Sequence, residues 1–393
     1  MSEQKMTTDP EDRIAAYLSV MVKNGGADLF LHTHARPTIK GPFGFKALDQ
    51  ELEPGDTERM LRSMLSDRKM AEFEEMGEID YSFSINGMGR FRGNGFRQRG
   101  EISVVMRHVR GDIPTIDGLG VPPVLKKLAE QKHGLIVVAG ATGSGKSTTL
   151  AAMIDHRNSH FPGHIITLED PIEFMHKHKR SLVAQREVGT DTQSFDSGMR
   201  AAMREAPDVI LMGEIRDTVS MEYAIKFANT GHLCLSTIHA NNAVSSIERM
   251  LSFFDREVLE QEAKRLSQNL RAIVCQRLVP TKNGSKMAAI EILVNTPRMA
   301  DLIANLDYDS MKQTIEQGAN YGMQTFDQAL CALYDEDRID DVQAIEHANS
   351  KAHVSQHIRF KSKSSQVDSL VDSLSLEAID REELAEEDAR FDL

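Results

Sequence analysis

The stretch that most limits what this chain can become runs from Gly134 to Leu150. Leu135 to Ala139 is a short apolar run of buried-strand length. Gly140-Ala141-Thr142-Gly143-Ser144-Gly145-Lys146-Ser147-Thr148 follows it directly, and a helical pattern continues to Asp155. The glycines let the backbone wrap an anion without Cβ clashes, so that successive N–H groups point inward. The helix behind them adds its positive N-terminal end. In the order Gly-x-x-x-x-Gly-Lys-Ser, Lys146 reaches the β- and γ-phosphates of a nucleotide and the Ser147 hydroxyl ligates Mg²⁺. Strand, loop and helix in this sequence commit the region to a P-loop nucleotide fold.

With 393 residues the chain has room for two or three domains. No run approaches the ~18 apolar residues of a membrane span, and the first ten residues lack the apolar core of a signal peptide. Cys234, Cys275 and Cys331 are odd in number and widely spaced, which fits buried fillers in a reducing compartment and not a disulfide framework or a zinc pair. The net charge of −13 argues against nucleic acid as the main partner, although part of it sits in the C-terminal tail.

The texture changes along the chain. Residues 1–10 read as unstructured. Residues 11–112 read as an α+β domain: a helix over 11–24, a strand at Asp28–His32, a turn at Gly41–Gly44 and a helix from Thr57 to Met76 stopped by Gly77. A hairpin across Asn86-Gly87 and a strand over Ile102–Val109 complete it, mostly antiparallel because the links are short. Residues 113–120 are rich in turn formers and read as a linker. From 121 to 360, strands near 135, 164, 208 and 232 alternate with helices, the pattern of a parallel α/β sheet. Residues 256–278 read as one long helix, Met287–Val294 as a strand, and Pro297 onward as mostly helical. Residues 361–393 are acidic and read as a disordered tail, with Leu370 to Leu376 as a possible docking segment.

Hydrolysis needs a held Mg²⁺, an oriented water and positive charge where charge builds up. Three strands end in suitable groups: Ile165–Leu168 in Glu169-Asp170, Asp208–Gly213 in Glu214, and Leu233–Ile238 in His239, with His232 at its start. In an open α/β sheet such ends converge on one crevice. The strand ending in Glu214 is expected beside the P-loop strand. Between Arg90 and Arg110 lie six arginines and no lysine. They fit three readings: a nucleic-acid groove, arginine fingers for a phosphate, or a solvated strand face.

Taken in order, Gly140–Thr148, Thr167-Leu-Glu-Asp-Pro-Ile-Glu-Phe174, Pro207–Asp217 and Thr230–His239 resemble the Walker A, Asp box, Walker B and His box of secretion-type ATPases. The resemblance is closest to the type IV pilus retraction ATPases, PilT and PilU, and covers about residues 11 to 350. It implies a PAS-like N-terminal domain joined to a RecA-like ATPase domain with a helical C-terminal region. It also implies a homohexameric ring at the inner face of the cytoplasmic membrane, working on a pilus platform protein and binding ATP and Mg²⁺. By matching position, Glu169 polarises the attacking water, Glu214 helps hold Mg²⁺, His239 with His232 senses the nucleotide, and Arg92 and Arg107 contact phosphate. Glu169 and Glu214 are open to exchange of roles.

Two departures lean towards the PilU branch, whose members act beside a PilT-type motor. The segment Arg298–Leu306 lacks the Ala-Ile-Arg-Ala-Gly-Glu type of motif, and the acidic tail is long. The absence of a four-cysteine insertion separates the chain from assembly ATPases. The expected function is therefore accessory pilus retraction. A nucleotide-dependent adaptor for a partner motor, or the motor of another secretion or DNA-transfer system, are the alternatives.

Overall fold

The computed structural model describes residues 9–48, 50–109 and 111–361. Arg110 and the tail from residue 362, including its candidate docking segment, lie outside the described residues. Two compact units make up the rest. Among the described residues, one comprises those up to 115 with 150–214 and 230–235; the other comprises 116–149, 215–229 and those from 236 to 361.

Helix α1 (Pro10–Lys23) opens with proline at its first turn, and the Asp9 carboxylate accepts from the Glu11 N–H at 3.2 Å. Ile14, Tyr17, Leu18 and Met21 recur at helical spacing and form its buried face. Strands β1 (Asp28–His32), β2 (Thr38–Gly41) and β3 (Gly44–Ala47) follow, the last two closing as a hairpin at the expected turn.

Two helices, α2 (Asp56–Met64) and α3 (Asp67–Met76), replace the single one expected from Thr57 to Met76. Leu65 is extended (ψ 144°), and the Ser66 hydroxyl caps α3 by accepting from the Lys69 N–H. The apolar residues keep helical spacing across this break, so periodicity conceals it. Gly77 ends α3 in the left-handed region (φ 79°), as expected.

Strands β4 (Glu78–Ile85), β5 (Gly89–Gln98) and β6 (Glu101–Val109) complete a six-stranded sheet of order β3-β2-β1-β6-β5-β4. All its adjacent pairs are antiparallel. Leu29, Leu31, Phe91, Val104 and Met106 pack with α1, α2 and α3 residues into one apolar cluster. A Cβ at Gly93 would stand 2.2 Å from the Tyr81 ring, so only glycine lets that ring lie on the β5 backbone.

After β6 the chain forms α4 (Val124–Ala129), β7 (Gly134–Ala139), α5 (Lys146–His160), β8 (Gly163–Glu169) and β9 (Ser181–Glu187). Next come α6 (Phe195–Ala202), β10 (Val209–Met212), α7 (Thr218–Asn229), β11 (Leu233–Ile238), α8 (Ala243–Leu251) and α9 (Leu259–Asn269). Strands β12 (Leu270–Pro280) and β13 (Lys286–Val294) precede α10 (Pro297–Ala304), α11 (Tyr308–Gln317), α12 (Phe326–Asp335) and α13 (Asp341–Glu346). A last helical stretch spans 351–361.

The second sheet has the order β13-β12-β7-β11-β10-β8-β9. Its β12–β7, β10–β8 and β8–β9 pairs are parallel and β12–β13 is antiparallel. The protein is thus α/β, as the alternation of elements implied.

Two further expectations need correction. Residues 256–278 are not one helix: α9 stops at Asn269 and the chain continues as β12. Ala272 to Gln276 are all buried, because this strand is covered on both faces, and an apolar run without alternation reads equally as a buried helix. β10 is not the neighbour of β7. It forms its ladder with β8, and the crossover through α7 leads to β11, which stands between β7 and β10. β9, which carries polar residues on a half-buried face, gave no sequence signal strong enough to be counted. The three cysteines are buried free thiols, and burial pushes the Cys331 thiol up to about 11.

Candidate functional site

The phosphate loop starts where β7, buried along its whole length, reaches Gly140. Gly140 (φ 154°), Gly143 (φ 78°) and Gly145 (φ 89°) occupy backbone conformations that suit glycine. A Cβ at Gly140 would stand 2.5 Å from Ser144 Oγ and 2.6 Å from the Gln276 carbonyl, and one at Gly145 2.6 Å from Gln276 Nε2. At Gly143 a Cβ would meet nothing within 4 Å. The outer rim of the loop is therefore open, while its base is closed against β12.

Gln276 is what closes it. Its side-chain amide donates to the Ser144 carbonyl (2.8 Å) and its amide oxygen accepts from the Thr149 hydroxyl (2.7 Å). One residue so clamps the middle of the loop and the first turn of α5. Sequence reading missed it because it lies in the segment taken for a helix.

Lys146 Nζ donates to the carbonyls of Gly140 (2.9 Å) and Ala141 (3.1 Å), folded back over the loop. Ser144 Oγ is buried with no hydrogen-bond partner. Ser147 is exposed and Thr148 half-buried in the first turn of α5. A cleft of about 360 Å³ opens between Gly140–Ser144 and Gln276, Arg277, Lys286 and His347. The Arg277 guanidinium lies 4.0 Å over the Phe326 ring and donates to the carbonyls of His347 and Asn241. An open glycine rim, an orphaned hydroxyl and two cations lining one cleft fit a phosphate-bearing ligand.

Glu169 is the last residue of β8. Burial raises its carboxyl above the ordinary range, although Thr167 Oγ1 (2.7 Å), Gln185 Nε2 (3.3 Å) and the Glu173 N–H all donate to it. Glu214 follows the end of β10 by two residues and is half-buried. Leu168 pairs with Met212, and the Gly213 N–H donates to the Leu168 carbonyl at 2.8 Å. The two carboxylates therefore leave β8 and β10 at the same edge.

His239 directly follows β11 and is exposed, whereas His232 directly precedes it. The expectation that His232 lies near His239 does not hold. Seven residue steps of extended chain separate them by about 23 Å, and His232 instead contacts the Thr230 hydroxyl at 3.0 Å.

The arginines divide by environment. Arg92 on β5 faces Arg107 on β6, which faces Asp28 on β1. Arg107 binds both Asp28 oxygens (2.7 and 3.3 Å), and that hydrogen bonding raises its pKa further. Arg92 reaches Glu173 at 3.1 Å. Arg97 lies over the Phe73 ring, and Arg90 is largely covered beside Glu187. At least two of the six thus serve packing, while Arg92 and Arg107 form an adjacent pair.

The type II/IV secretion system protein family matches residues 88–372. The chain belongs to that family. Among its members, the type IV pilus ATPase PilU of Pseudomonas aeruginosa is 43% identical over 367 residues, 92% of this chain and 96% of PilU. PilT, the retraction ATPase of the same organism, is 37% identical over 81% of this chain and 93% of its own length. A crystal structure of the pilus retraction motor PilT with bound ADP superposes with a TM-score of 0.81 at 39% identity, covering 86% of this chain and 97% of PilT. The Legionella pneumophila ATPase DotB shares the fold at 21% identity (TM-score 0.76). The resemblance of the four motifs to PilT and PilU is borne out over nearly the whole chain.

Proposed function

We propose that this chain is a type IV pilus ATPase that hydrolyses ATP to ADP and phosphate and uses the energy in pilus retraction, the basis of twitching motility. The observation that carries this is the cradle at Gly140–Ser147, open at its rim and clamped at its base by Gln276. The likeness to PilU and PilT supports the choice of machine.

In this reading the loop N–H groups and the N-terminus of α5 bind the β- and γ-phosphates, and Lys146 leaves the loop carbonyls to meet them. Ser147 and Glu214 would hold Mg²⁺; both are the hard oxygen donors that this ion takes. Bound Mg²⁺ neutralises charge on the phosphates. Glu169 takes a proton from the attacking water, and a carboxyl raised by burial is the better matched base. His239 reports the state of the nucleotide, with His232 at the far end of β11. Arg92 and Arg107 stabilise charge on the γ-phosphate. Glu169 and Glu214 are the two candidates for the base, and their variants decide between them.

The finer assignment is a homohexamer at the inner face of the cytoplasmic membrane, acting on a platform protein as accessory to a PilT-type motor. The departure at Arg298–Leu306, which forms α10 and its C-terminal turn, supports the accessory role. Nucleic acid has no place in it, given the net charge of −13.

Purified protein with Mg²⁺ and ATP is expected to release phosphate, and Lys146→Ala to abolish the release. Wild-type turnover by that variant sinks the assignment. Retraction in cells lacking the PilT-type protein tests the finer reading: forceful retraction by this chain alone contradicts an accessory role.

A further inference from the structure

Glu169 stands in a frame that the four motifs do not contain. β8 and β9 run parallel, with Thr167 opposite Gln185 and Glu169 opposite Glu187. These four residues share one face of the strand pair, because successive side chains alternate. Gln185 Nε2 reaches the Glu169 carboxylate (3.3 Å) and the Phe174 carbonyl (2.8 Å), and Gln185 Oε1 accepts from the His176 N–H (2.7 Å). Two residues further along, Glu187 Oε2 accepts from the Ile172 N–H at 3.1 Å. β9 thus holds the segment following Glu169 at both ends.

Glu187 is also bound from the other side. The Ser82 hydroxyl on β4 donates to Oε1 at 2.6 Å, and Arg90 on β5 places Nη2 3.2 Å from Oε2. Thr190 Oγ1 adds a further contact at 3.3 Å. Glu187 is 4% exposed, so a charge there needs these partners. Burial acts to raise its pKa, and the bonds from Ser82 and Ile172 and the Arg90 charge outweigh it, leaving the group ionised. Arg90 Nε and Nη2 are themselves buried without a hydrogen bond, so the ion pair with Glu187 is what compensates them.

We propose that Gln185 and Glu187 are positioning residues for Glu169, and that Ser82 and Arg90 tie them to the β4–β5 hairpin so that displacement of the hairpin is felt at the Glu169 carboxylate. The inference rests on the reading of Glu169 as the base. It adds a route by which the N-terminal sheet governs hydrolysis without touching nucleotide.

The test is steady-state ATP hydrolysis by the full chain, over a pH series, for wild type, Glu169→Gln, Gln185→Ala, Ser82→Ala and the Gln185/Ser82 double variant. Thermal midpoints control for folding. Glu187→Ala strips Arg90 of its partner and can fail to fold, so the half-buried Gln185 and the single bond of Ser82 carry the test. Gln185→Ala is expected to lower kcat by about ten- to a hundredfold with KM within about twofold, as for a misplaced catalytic group. Loss of the Gln185 bond, which favours the charged form, moves the acid limb of kcat to higher pH. Ser82→Ala gives a smaller loss of the same sign that does not multiply with the first.

Unchanged kcat and acid limb in Gln185→Ala, or independent multiplying losses in the double variant, overturn the proposal. A wild type without turnover overturns the functional reading and this inference together. Wild-type rates in Glu169→Gln overturn the inference while leaving the ATPase reading standing.

Discussion

In the proposed function the phosphate loop and the Glu169 segment do complementary work by opposite means. The loop would bind mainly with backbone, through three glycines and a helix terminus, aided by one lysine side chain, all within nine consecutive residues. Glu169 is set by the Thr167 hydroxyl, the Gln185 amide on β9 and a backbone N–H from its own following turn, and that frame reaches through Glu187 as far as Ser82, 105 residues from Glu187 along the chain. A backbone device tolerates little local change and is insensitive to distant change. A side-chain frame has the reverse weakness.

The largest expected effect separates the two at once. Glu169→Gln removes the base and leaves the loop intact, so kcat should fall by about 10²- to 10⁴-fold. ADP affinity, measured by fluorescence titration, should stay near wild type. A comparable fall in affinity means that the carboxylate belongs to the binding apparatus, and the contrast collapses.

A middling effect is expected where the loop does depend on a side chain. Gln276→Ala leaves the Ser144 carbonyl and the Thr149 hydroxyl without partners in a buried place, at a cost of about 1–3 kcal/mol in stability. ADP affinity should weaken as the loop loses its fixed curve, with KM rising more than kcat falls. Thermal melts and titrations on the same preparation decide it; an unchanged affinity shows that the glycine conformations suffice alone.

This contrast also explains what sequence disclosed. The loop was legible because its chemistry is local: Gly140, Gly145 and Lys146 must stand at fixed spacing for one backbone curve to form. Glu169, Glu214 and His239 were legible as strand ends, and the structure places each of them there. Gln185, Glu187 and Gln276 were not, because an uncharged or ordinary polar residue in a strand acquires meaning only from what lies opposite it. The helix expected over 256–278 failed for a related reason. β12 is covered on both faces, and its apolar run carries no alternation from which a strand can be recognised. His232 was expected near His239, yet a strand is long in space for its residue count.

The smallest expected effect concerns pH, and its sign is fixed by the groups round Glu169. Burial is the main cause of its raised pKa, and the negative charge of Glu173 adds to it. The ionised base is lost as pH falls through that raised value, so the acid limb of kcat lies above the ordinary glutamate range. Glu173→Gln removes the like charge while keeping the backbone N–H that donates to Glu169, and it leaves the Arg92 charge unneutralised nearby. Both changes favour the carboxylate, so the limb should move to lower pH, opposite to the shift expected for Gln185→Ala. The same raised pKa means that the folded state binds an extra proton between the unfolded and folded values, so its stability declines as pH rises through that window. Glu173→Gln should lessen that decline together with the shift of the limb. A limb that stays fixed or moves upward shows that Glu173 acts on Glu169 through its backbone alone, and that the frame around the base is one of hydrogen bonds and not of charge.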